Sequence, residues 1–130
     1  MGFSLLSRIP RPYVLKRHRD QENPPRWMLR TLPARWFGRI DADTMKTGDQ
    51  AKQMEILSWC VAVGLVAVEG IEIDGQPLVI EQPAKRDING MSIDGGCPFE
   101  VIDAMPIEVL TELAGEIITR NTLSAADRGN

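Results

Sequence analysis

His18, the only histidine, stands in the run Lys16-Arg17-His18-Arg19, where the flanking cations disfavour the protonated form a general base must pass through. The run holds no carboxylate to orient the imidazole, so a solvated surface histidine is the expected state. The serine, threonine and cysteine side chains have no histidine nearby in sequence to activate them as nucleophiles. Cys60 falls on the apolar face of a helical segment, the place of a core thiol. Asp41 and Asp43 offer the hard oxygens a divalent cation takes, but the twelve-residue calcium-loop pattern is absent, and the pair reads as solvation of a helix end. Gly64, Gly70, Gly90, Gly95 and Gly96 fit neither GxxxxGK nor GxGxxG and read as turn glycines. Cys60 and Cys97 are too few and too far apart for a zinc site or a disulfide framework. The expectation is a protein without catalytic residues, metal or cofactor.

What chemistry remains is charge. Residues 1–39 carry nine Lys and Arg against Asp20 and Glu22, a balance of +7, whereas residues 40–130 stand at −10; the overall −3 conceals this polarity. A basic arm that meets an acidic surface is the expected arrangement, the surface being nucleic acid or the acidic body of a second copy. Arg8, Arg11, Lys16, Arg17 and Arg19 are the candidate interaction residues. Tyr13, Trp27, Trp36 and Phe37 interleave with the basic residues as stacking aromatics would in a nucleic-acid surface, but with so few other aromatics they are needed in a core. Protein contacts, including head-to-tail self-assembly, are therefore preferred over nucleic acid.

The elements that position these residues follow from periodicity. Asp49 to Leu65 is the central stretch: Met54, Leu57, Val61 and Leu65 recur at helical spacing, with Asp49 as N-cap, and predict the core helix. Before it, residues 1–12 read as an extended arm interrupted by Pro10 and Pro12. Tyr13 to His18 and Arg26 to Leu32 read as the strands of a hairpin, with Trp27, Leu29 and Thr31 on one face and Met28, Arg30 and Leu32 on the other. Pro33 opens a short helix ending before Thr44, with Trp36, Phe37 and Ile40 inward. After Leu65 the period changes: Ile71 and Ile73, then Asp74-Gly75, then Leu78 to Ile80 predict a second hairpin, its loop lengthened by Gln76 and Pro77. Ala84 to Pro98 reads as a surface loop. A second amphipathic helix, with Ile107, Leu110, Leu113, Ala114, Ile117 and Ile118 inward, should stop near Asn121, and Ser124 to Asp127 has capping-box spacing for one more turn.

Together these elements predict a small α+β protein: an extended basic N-terminal arm over 1–12, and one domain over 13–130 with two main amphipathic helices and two β-hairpins. A hydrophobic fraction of 43% and a charged fraction of 25% are ordinary for a soluble globular chain. The longest apolar run, Trp59 to Val68, falls well short of the roughly 20 residues a membrane span needs, so no membrane partner is expected. The N-terminus has no apolar core of signal-peptide length, and a reducing cytoplasm is the simplest compartment.

Three segments carry a resemblance. Trp27-Met-Leu-Arg-Thr-Leu-Pro-Ala-Arg35 with Ile40-Asp41 resembles the W-x-L-R-x-L-x-x-R opening of small proteins from the morphogenesis gene clusters of tailed bacteriophages and prophages. Gly64-Leu-Val-Ala-Val-Glu with Asp74-Gly75 is similar to their G-L-x-x-W segment and following turn, with Val68 where an aromatic is common. Met105-Pro106 with Leu110, Leu113, Ile117, Asn121, Leu123 and Ser124 is similar to their closing helix. Within that group the chain resembles the tail assembly chaperones most. The resemblance implies a non-enzymatic virion morphogenesis factor. It would act in the host bacterial cytoplasm through contacts with phage tail or capsid proteins, and with itself as a homo-oligomer. The alternative is a minor structural component of head or tail, in the virion, using the basic arm against neighbouring subunits; a nucleic-acid-binding regulator is the lesser alternative.

Overall fold

In a computed structural model the protein is described over residues 9–38 and 48–129, with side chains as far as Thr122. A three-stranded antiparallel sheet, two short hairpins and two long helices make up a small α+β domain.

The sheet is β1 (Arg11–Tyr13), β2 (Arg26–Leu29) and β3 (Leu65–Glu69), with β2 in the centre. Tyr13 pairs with Trp27, and Trp27 with Val68. The predicted N-terminal hairpin is therefore present, but its first strand lies earlier than the sequence indicated. Arg11 and Pro12, read as arm, are strand residues, because the fixed φ of proline suits extended backbone. Lys16–His18, read as strand, form a 3-10 turn, and Leu15 before them is buried. Trp27 and Leu29 share the buried face as expected. A register shift between Met28 and Leu29 passes over Val66, and beyond the strand Leu32 is buried against the two-residue period.

Residues 34–38 are helical (α1), with Trp36 fully buried and its indole N–H donating to the Ile88 carbonyl at 2.9 Å. Ile40 lies outside the described residues. The core helix α2 (Gln50–Gly64) is capped by the Asp49 carboxylate, which accepts from the Ala51 N–H at 2.9 Å. It is not the simple amphipathic stripe the spacing predicts. Met54 and Leu57 are half-buried, whereas the consecutive residues Cys60 to Gly64 are all buried, so the C-terminal half is enclosed on every side. Its last residue runs directly into β3, so Leu65, read as the end of the helix, opens a strand of the first sheet that continues to Glu69.

The second hairpin, β4 (Glu72–Ile73) and β5 (Gln76–Pro77), turns on Asp74-Gly75 alone. Both turn residues have positive φ, 53° and 78°, as a tight two-residue turn needs, so Gln76 and Pro77 belong to the strand and do not lengthen the loop. The segment 84–98, expected as a surface loop, holds a third hairpin, β6 (Arg86–Ile88) and β7 (Met91–Ile93), turning on Asn89-Gly90 with φ of 52° and 81°. Ile88, Ile93 and Cys97 from this segment are buried in the core.

Pro98 precedes the short α3 (Phe99–Asp103), and α4 (Ile107–Gly129) follows. Helix α4 does not stop near Asn121, nor does Ser124 begin a new turn; the backbone stays helical through both. Ile107, assigned to its inner face, is 56% exposed, and Val109 takes the inward position. Helices α2 and α4 approach at Gly64, where a Cβ would meet Ile117 Cδ1 at 2.7 Å. Gly64 is thus a close-approach glycine rather than a turn glycine.

Two arginines close the end of α2, which carries no basic residue in its own last turn. The Arg30 guanidinium donates to the Val63 carbonyl at 2.8 Å, and Arg86 to the carbonyls of Ala62 at 3.2 Å and Cys97 at 2.6 Å. The orphan carbonyls and negative dipole end of the helix are satisfied by Arg30, just beyond β2, and by Arg86 of β6, both far away in sequence.

Candidate functional site

The basic segment is held by the chain's own acidic helix. Tyr13 Oη donates to Glu112 Oε2 at 2.6 Å, and the Lys16 backbone N–H donates to the same oxygen at 2.8 Å. Arg120 donates to the carbonyls of Arg11 at 3.2 Å and Pro12 at 3.1 Å while paired with Glu116 at 2.8 Å. The guanidinium groups of Arg19 and Arg120 lie 5.8 and 6.0 Å from the Tyr13 ring centre. Burial, then the bond to Glu112, push the Tyr13 phenol up to about 12. Burial also acts to raise Glu112, but the bonds from Tyr13 and Lys16 and the charges of Lys16 and Arg17 leave its carboxyl below its ordinary range.

Of the candidate interaction residues, Arg8 lies outside the described residues. Arg11 is exposed on β1, Lys16 and Arg17 are exposed on the 3-10 turn, and Arg19 is exposed beside Tyr13. Of these, Arg17, with His18, lines a concave surface. That surface is an open groove of about 640 Å³ between the 3-10 turn, β2, the β4–β5 hairpin and the α3–α4 corner. The volume lies within the range of small-molecule and peptide-side-chain pockets. Its lining is apolar, with Leu15, Trp27, Ile71, Val101, Met105 and Val109 as main contributors, and Arg17, His18, Glu72 and Glu100 are its charged or titratable members.

Each wall follows from a local feature already described. Leu15 is set by the 3-10 turn, Trp27 by the alternation of β2, Ile71 by Gly70 at φ 79°, and Met105 by the break at Pro106. Ile73 extends the apolar surface along the hairpin and is 51% exposed. Neither His18 Nδ1 nor the Trp27 indole N–H has a hydrogen-bond partner among the described residues. The sequence marked Trp27 as a core, stacking or motif aromatic and Ile73 as a strand residue, and neither as lining a groove. The one signal for a groove was the Met105-Pro106 break, which turns two apolar helix faces against each other.

The remaining titratable candidates do not converge. Cys60 and Cys97 are both buried and free, and burial pushes each thiol up to about 12, leaving both as poor nucleophiles. Asp41 and Asp43 lie outside the described residues. Among the described residues no group of three or more His, Cys, Asp or Glu side chains could hold a metal ion, and no helix is long and apolar enough to cross a membrane. Gly95 and Gly96 form a close-packed turn, with a Cβ on Gly96 directed into the Ala62 carbonyl oxygen. No family model matches the chain, and no match is found among the curated proteins or the solved structures.

Proposed function

We propose that this chain is a non-enzymatic morphogenesis factor of a tailed bacteriophage, of the tail assembly chaperone type. It holds an apolar segment of a tail protein until that protein polymerises. The observation that carries this reading is the groove: open apolar surface of this size, edged by charge, is the form an interaction site takes on a soluble domain. Ile73, Ile107 and Phe99, exposed by 51%, 56% and 37%, add apolar surface on the hairpin and on α3 and α4. The motif residues of the phage resemblance support the same view by forming one frame. Trp27 lines the groove, Arg30 closes α2, and Asn121 of α4 binds the backbone of Leu32.

A second reading, a virion component that uses its basic residues against a neighbouring subunit, is favoured by the exposed side chains of Arg11, Lys16, Arg17 and Arg19. Quantitative mass spectrometry of assembled particles separates the two. Absence from particles, despite expression during assembly, is expected for the chaperone. Presence at a fixed ratio to the major tail or capsid protein would overturn it in favour of the structural role, and particles that assemble normally without the gene would remove both.

A further inference from the structure

We infer that the groove selects an apolar peptide segment of its partner protein that bears opposite charges at its two ends, acidic toward the 3-10 turn and basic toward the hairpin and α3. This rests on the chaperone reading and names the chemistry of what the groove holds. The groove charges are segregated by element. Arg17 and His18 come from the 3-10 turn, whereas Glu72 comes from β4 and Glu100 from the first turn of α3. Among the described residues, no salt bridge engages Arg17, Glu72 or Glu100, and Arg17 acts on Glu112 only through its charge. A segment charged uniformly would gain against one wall and lose against the other, whereas a bipolar segment gains at both. Trp27, 7% exposed, lines the groove with its ring, and its buried indole N–H, without a partner among the described residues, reports on a segment seated against that ring.

The test uses the full chain and three synthetic Leu/Ala peptides, one with Lys at one end and Glu at the other, one with Lys at both and one with Glu at both. The bipolar peptide is expected to bind about ten-fold more tightly than either uniform one. Binding should shift the Trp27 indole N–H resonance. Ile73→Asp, at an exposed position, should abolish binding with the far-UV spectrum unchanged. Glu72→Lys with Glu100→Lys should transfer the preference to the all-Glu peptide. Equal affinity for all three peptides would overturn the charge selection and leave the chaperone reading standing. No binding by any, with the indole resonance unmoved, would overturn the groove as a contact surface, and the particle composition would still decide the chaperone role independently.

Discussion

Asn121, the one buried polar or charged residue among the described residues, binds both backbone groups of Leu32: its Oδ1 accepts from the Leu32 N–H and its Nδ2 donates to the Leu32 carbonyl, each at 3.0 Å. The chain leaving β2 has no strand partner at that point, and a single amide from α4, 89 residues away, supplies both bonds. The pair joins the sheet's central strand to the long helix.

Replacing Asn121 by Leu is therefore expected to destabilise the protein despite its greater apolarity. Two buried backbone groups would lose their partners, at a cost of about 2–4 kcal/mol. Urea unfolding followed by tryptophan fluorescence measures this, and a stability equal to or above that of the parent would show that the clasp is replaceable.

The Tyr13–Glu112 bond predicts stability that falls at both ends of the pH scale. The raised phenol contributes fully below its ordinary pKa of 10.0, and the contribution is lost as pH rises toward about 12. The lowered Glu112 carboxyl contributes above its ordinary 4.5 and is lost as pH falls through its depressed value. Tyr13→Phe should cost about 1–2 kcal/mol at neutral pH and reduce the alkaline loss. A residual alkaline loss should persist, because Cys60 and Cys97, raised from 9.0 to about 12, lose their own contributions over pH 9 to 12. Melting temperatures of the two proteins from pH 3 to 12 give the comparison.

At the helix crossing, Gly64→Ala sets a methyl group against Ile117, which is fully buried and stiff at χ1. The expected loss is about 1–3 kcal/mol, the usual scale of overpacking. Adding Ile117→Val should recover part of it, and strict additivity of the two changes in chemical denaturation would count against the contact.

The two long helices, the strand Arg26–Leu29 and the Asp49 cap were legible because each is written locally, in spacing or in one capping residue, whereas α3 and the exact bounds of the first strand were not. The third hairpin was not, since Asn89-Gly90 lies among Asp, Gly and Lys residues that also compose loops, and Ile88 and Ile93 alone are too little alternation to count as strands. The buried end of α2 was equally hidden: the arginines that close it come from just beyond β2 and from β6, and nothing near Gly64 in sequence announces them. The basic segment was legible as charge, but its contact with α4 was not: Glu112 accepts from the Tyr13 hydroxyl and the Lys16 backbone N–H, and Arg120 binds the carbonyls of Arg11 and Pro12, contacts set by the packing of α4. The groove was least visible, because it exists only where four elements from distant parts of the chain meet.

The bonds from Arg120 to the carbonyls of Arg11 and Pro12 also govern what β1, a margin of the sheet, can do in a crowded cell. A bare margin is a template for strand addition by other molecules. Here Pro12 offers no N–H and Arg120 occupies two carbonyls, so the template is filled from within. This side of the sheet is thereby poorly suited to seeding ribbons of further copies.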